Sequence, residues 1–479
     1  VTAFGDTSVG DGLIGVGAAA FGSGNASATS YGDVSATGLA GIIAVSGSGS
    51  ATAELFGGGV VGDLPGNAPI IGMGAAVFGG SSDATITVGS TGHPASEVNA
   101  TGVGLLGLNF GSGNVNISAE SIGSDGFANV VNSDGIGVLG SAISGDTTIA
   151  TTQVNAGAVG ILGIAGGNTD ITAGATNATG SGIIGLAGGT VDIVSGGVEA
   201  GDLGVAGFGG GDVNVTTGGT TSNNNGGGGL FGSGVLGVST GGNSTVLAQG
   251  NTTVGNGLIG VGAAAFGSGN ASATSLGDVQ ADGLAGIIAL SGSGSATAEL
   301  YGGDVLGSTP FIGMGAIVLG GSSDADITVG DGNAPASTVN ATGVGLLGLN
   351  FGSGDVNIRA DYAPGLDRHV VNSDGVGVLG LATGGNTFIG VDDVNAGLAG
   401  VVGLAAEDVT IFAGSTTSGA LGVAGFGGGN VNVTTGNTTS NTGGAGGLFG
   451  SGVLGISTGG NATVTAFGDT SVGDGLIGV

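Results

Sequence analysis

The sequence predicts an all-β fold, a parallel β-solenoid, and three observations predict it: long-range self-similarity, short alternating strands, and turns rich in glycine. Residues 12–30 (GLIGVGAAAFGSGNASATS) recur at 257–275, and the first sixteen residues (VTAFGDTSVGDGLIGV) recur unchanged at 464–479. The long period is therefore 463 residues, divided into halves of 245 and 218. Gly (121) and Pro (6) make up about a quarter of the 479 residues, a level that usually signals disorder. Hydrophobic residues nevertheless reach 40% and mean hydropathy is +0.51, so the chain has apolar surface with which to offset its conformational entropy.

The first element is a unit anchored on a pair of apolar residues, usually followed by Gly. In the first half the anchors begin at Leu13, Ile42, Ile70, Leu105, Val138, Ile161, Ile183, Val205 and Val235, and at Leu258 the cycle restarts. Their spacings run from 22 to 35 residues and give about 17 coils per long period, nine in residues 1–257 and eight in 258–475, with 476–479 opening the next repeat of one continuous rod. The second half is shorter because one complete 22-residue unit is missing between Val394-Asn395 and Leu421 when that stretch is matched to Val154-Asn155 and Leu203. A solenoid tolerates such a loss because each coil touches only its neighbours.

The second element is a short strand after each anchor: Ala84–Val88, Val115-Asn116-Ile117-Ser118, Val191-Asp192-Ile193 and Val213-Asn214-Val215-Thr216. Apolar and polar residues alternate there with a period of two, which places one side chain inside and the next outside. A third segment precedes the next anchor, as in Val98-Asn99-Ala100, Val154-Asn155-Ala156 and Val198-Glu199-Ala200. Three short strands per coil, stacked about 4.8 Å apart, predict a rod of roughly 80 Å per long period. Longer coils insert residues 89–97, 119–130 and 217–229, and in the second half Asp361–His369, as loops projecting from one face.

The chemistry-bearing residues are few. There are 33 acidic residues against two Arg and no Lys, a net charge of −31, which opposes binding to nucleic acid or anionic membrane. Cys is absent, which excludes disulfides and thiolate metal sites, and no apolar run is long enough for a membrane-spanning helix. The two imidazoles, His93 and His369, lie in different inserted loops and are expected to be solvated. Asp324 with Asp326, Asp392 with Asp393, and Glu407 with Asp408 are the paired carboxylates that glycan hydrolysis would need, but they are scattered. Turns at 132–135, 166–170 and 372–375 offer carboxylates to Ca2+, with turn capping by Asp and Asn as the favoured reading. No catalytic, cofactor-binding or metal-ligating residue is assigned. Twelve Asn-x-Ser/Thr sequons occur, of which Asn99, Asn116, Asn214, Asn340 and Asn432 are the candidate glycan attachment sites.

The Gly-hydrophobic-hydrophobic-Gly anchors followed by Val-x-Ile strands (Ile183 to Ile193, Val205 to Val215) resemble the repeats of large secreted β-solenoids such as filamentous haemagglutinins and autotransporter passengers. The resemblance implies a right-handed parallel β-helix at the cell surface. Together these readings point away from an enzyme and toward the body of an extracellular filament that self-associates end to end and laterally, aided by divalent cations. The alternatives are the stalk of a surface adhesin that meets glycans and, more remotely, an ice-binding solenoid or a glycan-active β-helix enzyme.

Overall fold

The computed structural model describes the chain except residues 11, 63–66, 121–122, 223–231, 256, 308–309, 331–334, 362–367, 441–449, 474 and 476. The chain divides into two compact units, Val1–Asn225 and Gly226–Val479. Among the described residues there are 47 strands, and those in each unit pair in parallel, coil upon coil. The sequence-predicted fold class, a parallel β-solenoid, is the observed one.

Each coil begins with an anchor strand, seven residues long in most coils. In the first unit these are Ile14–Ala20, Ala40–Ser46, Ile71–Val77, Val103–Asn109, Ile136–Ala142, Val159–Ala165, Ser181–Ala187 and Val205–Gly209. They form one sheet in strict register: Leu105 lies beside Val138, Val138 beside Ile161, and Ile161 beside Ile183, all fully buried. The glycines of the anchor motif face inward because the coil is thin. A Cβ on Gly104 would meet the Gly137 carbonyl of the next coil at 2.5 Å and a Val131 methyl closer still. One on Gly107 would meet Val115 Cγ1 at 2.6 Å and Ile117 Cδ1 at 3.2 Å. Glycine at these two positions leaves room for the β-branched side chains that come from the facing strands.

Those facing strands make up the second sheet of each unit. In the 22-residue coils they are single ten-residue strands, Thr147–Ala156, Thr169–Ala178 and Val191–Ala200, rather than the two separate short strands expected from the sequence. The alternation of burial nevertheless breaks within each. Thr147, Ile149 and Thr151 are buried, and the next buried residue is Val154, so the phase shifts at Thr152 and the strand turns a corner. In the longer coils this corner opens into a loop. Val115–Ala119 pairs with Thr147–Thr151 and Val130–Ser133 with Gln153–Ala156, so ten residues of sequence separate the two strands where the next coil has Thr152 alone. Likewise 89–96 separate Ala84–Val88 from Glu97–Ala100. The third expected insertion begins later than the sequence suggested, because the strand Val213–Ser222 runs through its first six residues; its remainder, 223–229, lies outside the described residues, as do 362–367 of the fourth.

The cores consist of columns of Ile, Val, Leu and Ala with Ser and Thr interspersed. The hydroxyls of Thr151, Thr176 and Thr416 are buried without a hydrogen-bond partner, whereas some of the other inward hydroxyls bond to backbone carbonyls of adjoining coils: Thr147 Oγ1 donates to Ile164 O at 2.8 Å and Thr169 Oγ1 to Leu186 O at 2.8 Å. Buried polar groups placed this way offset their desolvation and fix the register of successive coils.

Candidate functional site

The chemically distinctive features are ladders in which one residue type recurs at the same place in successive coils. On the closing strands of several successive coils in each unit, an asparagine ladder runs outward of the core. In the first unit Asn132 Nδ2 donates to Asn99 Oδ1 at 3.0 Å, Asn155 Nδ2 to Asn132 Oδ1 at 2.9 Å, and Asn177 Nδ2 to Asn155 Oδ1 at 3.0 Å. In the second unit Asn372 donates to Asn340 and Asn395 to Asn372, each at 3.0 Å. Beside the ladder lies a groove of about 410 Å3 in the first unit, lined by Asn155, Asn177 and Glu199 among others, and one of about 490 Å3 in the second, lined by Asn340, Asn372 and Asn395 among others.

A second set of Asp and Asn residues staples coil to coil through the backbone. Asp83 Oδ1 accepts from Asn114 N at 2.7 Å, Asn114 Oδ1 from Asp146 N at 2.9 Å, Asp146 Oδ1 from Asn168 N at 2.7 Å, and Asn168 Oδ1 from Thr190 N at 2.9 Å. In the second unit Asp324, Asp355, Asn386 and Asp408 hold the backbone N–H groups of Asp355, Asn386, Asp408 and Asn430 in the same way. These Asp and Asn side chains therefore each satisfy a backbone N–H of the following coil.

The candidate acid pairs are drawn into this scheme and into other structural contacts. Asp324 is a staple, whereas Asp326 points outward and accepts from Asn357 Nδ2 at 2.9 Å. Partial burial raises the Asp326 carboxyl above its ordinary pKa, and the Asn357 bond opposes that shift. Asp408 is a staple and Glu407 is exposed. Asp392 accepts from His369 N at 3.2 Å, and Asp393 pairs with Arg368 at 3.1 Å. The other cation, Arg359, lies 4.6 Å from the centre of the Phe388 ring. Of the turns considered for Ca2+, residues 132–135 contribute Asn132 to the asparagine ladder, as 372–375 contribute Asn372, and 166–170 contribute Asn168 to the staples. Asp170 stands outward beside Asp192, and its carboxyl is raised, first by burial and then by that neighbouring charge. Among the described residues no group of three or more His, Cys, Asp and Glu is disposed to hold a metal ion.

The histidines are not solvated loop residues, which corrects the sequence expectation. His93 is half-buried in an aromatic cluster at the corner, 5.7 Å from the Tyr31 ring and 6.0 Å from Phe56, with Phe4 stacked on Tyr31 at 5.4 Å. His369 is 1% exposed, and its Nδ1 accepts from Ser337 N at 2.9 Å. Burial lowers its pKa, with Asp392 the foremost opposing influence. Asn129 holds the equivalent place in the first unit, accepting from Ser96 N at 2.8 Å and donating to Val88 O at 3.1 Å. The readable signal was positional: each residue directly precedes the Val-Val-Asn-Ser of a closing strand.

The five candidate glycan sites fall into three settings. Asn116 and Asn432 stand on the outer side of alternating strands with no neighbouring carboxylate in register. Asn99 and Asn340 belong to the asparagine ladder, and their sequon hydroxyls, Thr101 and Thr342, reach the Pro69 and Pro310 carbonyls. Asn214 points outward, but its Nδ2 donates to Asp192 Oδ1 at 2.7 Å, occupying the atom to which a glycan would be joined.

Sequence reasoning missed the outer side of the anchor sheet. From Leu105 to Ile183 the first residue of each apolar pair enters the core and the second faces out, so Leu106, Leu139, Leu162 and Ile184 make an external column in the first unit, whereas Leu13 and Ile70, the first of their pairs, are 65% and 55% exposed. Leu108, Ile164, Leu186 and Phe208 supply most of a second, and Phe110 and Ile143, 47% and 58% exposed, begin a third. In the second unit Leu421, Ala424 and Leu454 are buried in a cluster against the partly buried Val402, Phe426 and Ile456. Period-two alternation applied to the pairs themselves would have revealed this.

Ladders, staples and stacked corners define a parallel β-solenoid, a class whose functions reside in its surfaces. Comparison of the chain with protein-family models, with curated proteins and with solved structures returned no match. Among the described residues no helix is long and apolar enough to cross a membrane.

Proposed function

We propose that the chain is a structural protein, the body of an extracellular or cell-surface filament built by stacking of solenoid coils. The observation that carries this reading is the double use of VTAFGDTSVGDGLIGV. In its first occurrence the Val1 and Ala3 carbonyls accept from Thr29 and Tyr31 N at 2.9 Å each, and Thr7 N donates to Asp33 O at 2.8 Å. In its second occurrence Phe467 N donates to Thr435 O and Asp469 O accepts from Thr438 N, both at 2.8 Å, while Gly473 N donates to Ser440 O at 3.2 Å. Position for position, no backbone group serves in both sets, so one segment can carry a coil on each edge at once.

Its glycines carry the same information. A Cβ on Gly5 meets nothing within 4 Å, whereas on the equivalent Gly468 it would meet Gly436 C at 2.7 Å and Asn437 Oδ1 closer still. Conversely, a Cβ on Gly478 meets nothing, whereas on Gly15 it would meet Val34 Cγ1 at 2.5 Å and Gly41 O at 2.6 Å. Each occurrence keeps a glycine that only the other's neighbour requires. A repeating ladder explains both, and neither a binding tip nor a reaction does.

The test is negative-stain microscopy of native material with and without Ca2+. Uniform thin filaments with an axial period near 80 Å, from 17 coils at about 4.8 Å, support the reading. Discrete rods ending in a separate head refute it and identify the chain as a stalk.

A further inference from the structure

We infer that the outer side of the anchor sheet is a lateral docking surface, and that its occupant is the same side of a second copy of this chain. The inference deepens the filament reading by naming the partner surface, and rests on it only for biological context. Two independent observations select the occupant.

The first is charge. None of the seventeen anchor strands contains a charged residue, although the chain carries 33 acidic residues and a net charge of −31. Two copies meeting through any acidic side bring like charges together; through the anchor sheets they bring together Leu, Ile, Val, Phe, Ala and Gly. An anionic lipid surface is disfavoured by the surrounding acid, and a basic partner has nothing on this side to pair with.

The second is area. Eight anchor strands of about seven residues in the first unit, spaced about 4.8 Å and rising about 3.3 Å per residue, give a footprint of about 900 Å2. A stable interface needs about 800 Å2 from each partner. The second unit repeats the surface on nine further strands. Large exposed side chains flank it: Phe21 and Phe78 (88% and 61% exposed) in the first unit, Phe266 and Phe351 (56% and 48%) in the second. Exposed apolar patches beyond a few hundred Å2 mark interaction sites, and two β-sheet faces pack about 10 Å apart.

The test is sedimentation of the full chain from low to high salt, beside the double variants Leu162→Glu/Ile184→Glu and Leu162→Thr/Ile184→Thr. Both positions point out of the core, and Thr retains strand propensity, so the second variant reports on the interface even where Glu disturbs folding. The expected result is a self-associating wild type, tightened by salt as acidic repulsion is screened, with association weakened at least ~100-fold by Glu and clearly by Thr at unchanged circular dichroism. A wild type that stays monomeric at high salt overturns the inference, as does association equally strong in both variants. Binding of monomers to neutral phosphatidylcholine vesicles would show that the occupant is wrong. Filaments that form as single strands in the microscope would overturn this pairing while leaving the proposed function intact.

Discussion

Removing residues 181–202 from the first unit deletes one 22-residue coil, and the registers state what should meet across the gap. Val159–Ala165 now faces Ser181–Ala187, which in turn faces Val205–Gly209. After deletion Ile161, Leu162, Gly163, Ile164 and Ala165 would receive Val205, Ala206, Gly207, Phe208 and Gly209. The second unit already contains that junction, with Val401, Val402, Gly403, Leu404 and Ala405 beside Val423, Ala424, Gly425, Phe426 and Gly427. The staple survives too: Asn168 Oδ1, which holds Thr190 N at 2.9 Å, would take Asp212 N, as Asp408 Oδ1 holds Asn430 N at 2.6 Å. At about 0.05–0.15 kcal/mol per residue, losing one coil should cost about 1–3 kcal/mol, against the loss of all stability expected when a globular core is cut. Urea denaturation with hydrogen exchange measures this. An eleven-residue deletion, 181–191, throws the ladders out of register and should unfold the coils beyond it. Equal tolerance of the two deletions, or a cost above about 5 kcal/mol for the full coil, would refute the nearest-neighbour argument.

Gly160→Ala should destabilise by about 1–3 kcal/mol in thermal melts, because its Cβ would meet Gly182 O at 2.5 Å, whereas Gly197→Ala, with nothing within 4 Å, should change little. Asn114→Ala should cost about 1 kcal/mol in urea midpoints, since Asp146 N loses its acceptor. His369 has a folded pKa below its ordinary value near 6.5, so the unfolded chain takes up the proton first as pH falls. Its contribution is complete above about pH 6.5 and is lost as pH falls toward the lowered value. His369→Asn, which installs the solution used at Asn129, should flatten the dependence of the urea midpoint between pH 5.5 and 7.5.

Much of the fold was legible because a solenoid repeats its reasons. The apolar anchors, the alternating strands at 115–118 and 191–193, and the missing 22-residue unit all depend on local pattern, and the registers follow from them. The corner within Thr147–Ala156 was not legible, because a phase shift of one residue at Thr152 leaves no turn signal in composition. His369 was misread because loop position suggested solvent, while its depth is set by Ser337 in the preceding coil, 32 residues away. The acid pairs weighed for glycan hydrolysis are pairs only along the chain. In space Asp324 and Asp408 serve the next coil's backbone, and their sequence neighbours face elsewhere.

The corner between middle and closing strands has a practical consequence. The same two strand ends are separated by Thr152 alone in one coil and by ten residues of sequence in its neighbour, with the flanking pairs unchanged. Loop length is thus uncoupled from ladder geometry, and foreign peptides grafted at successive corners would be presented as an evenly ruled array, one about every 4.8 Å, on a backbone whose own assembly does not sense them.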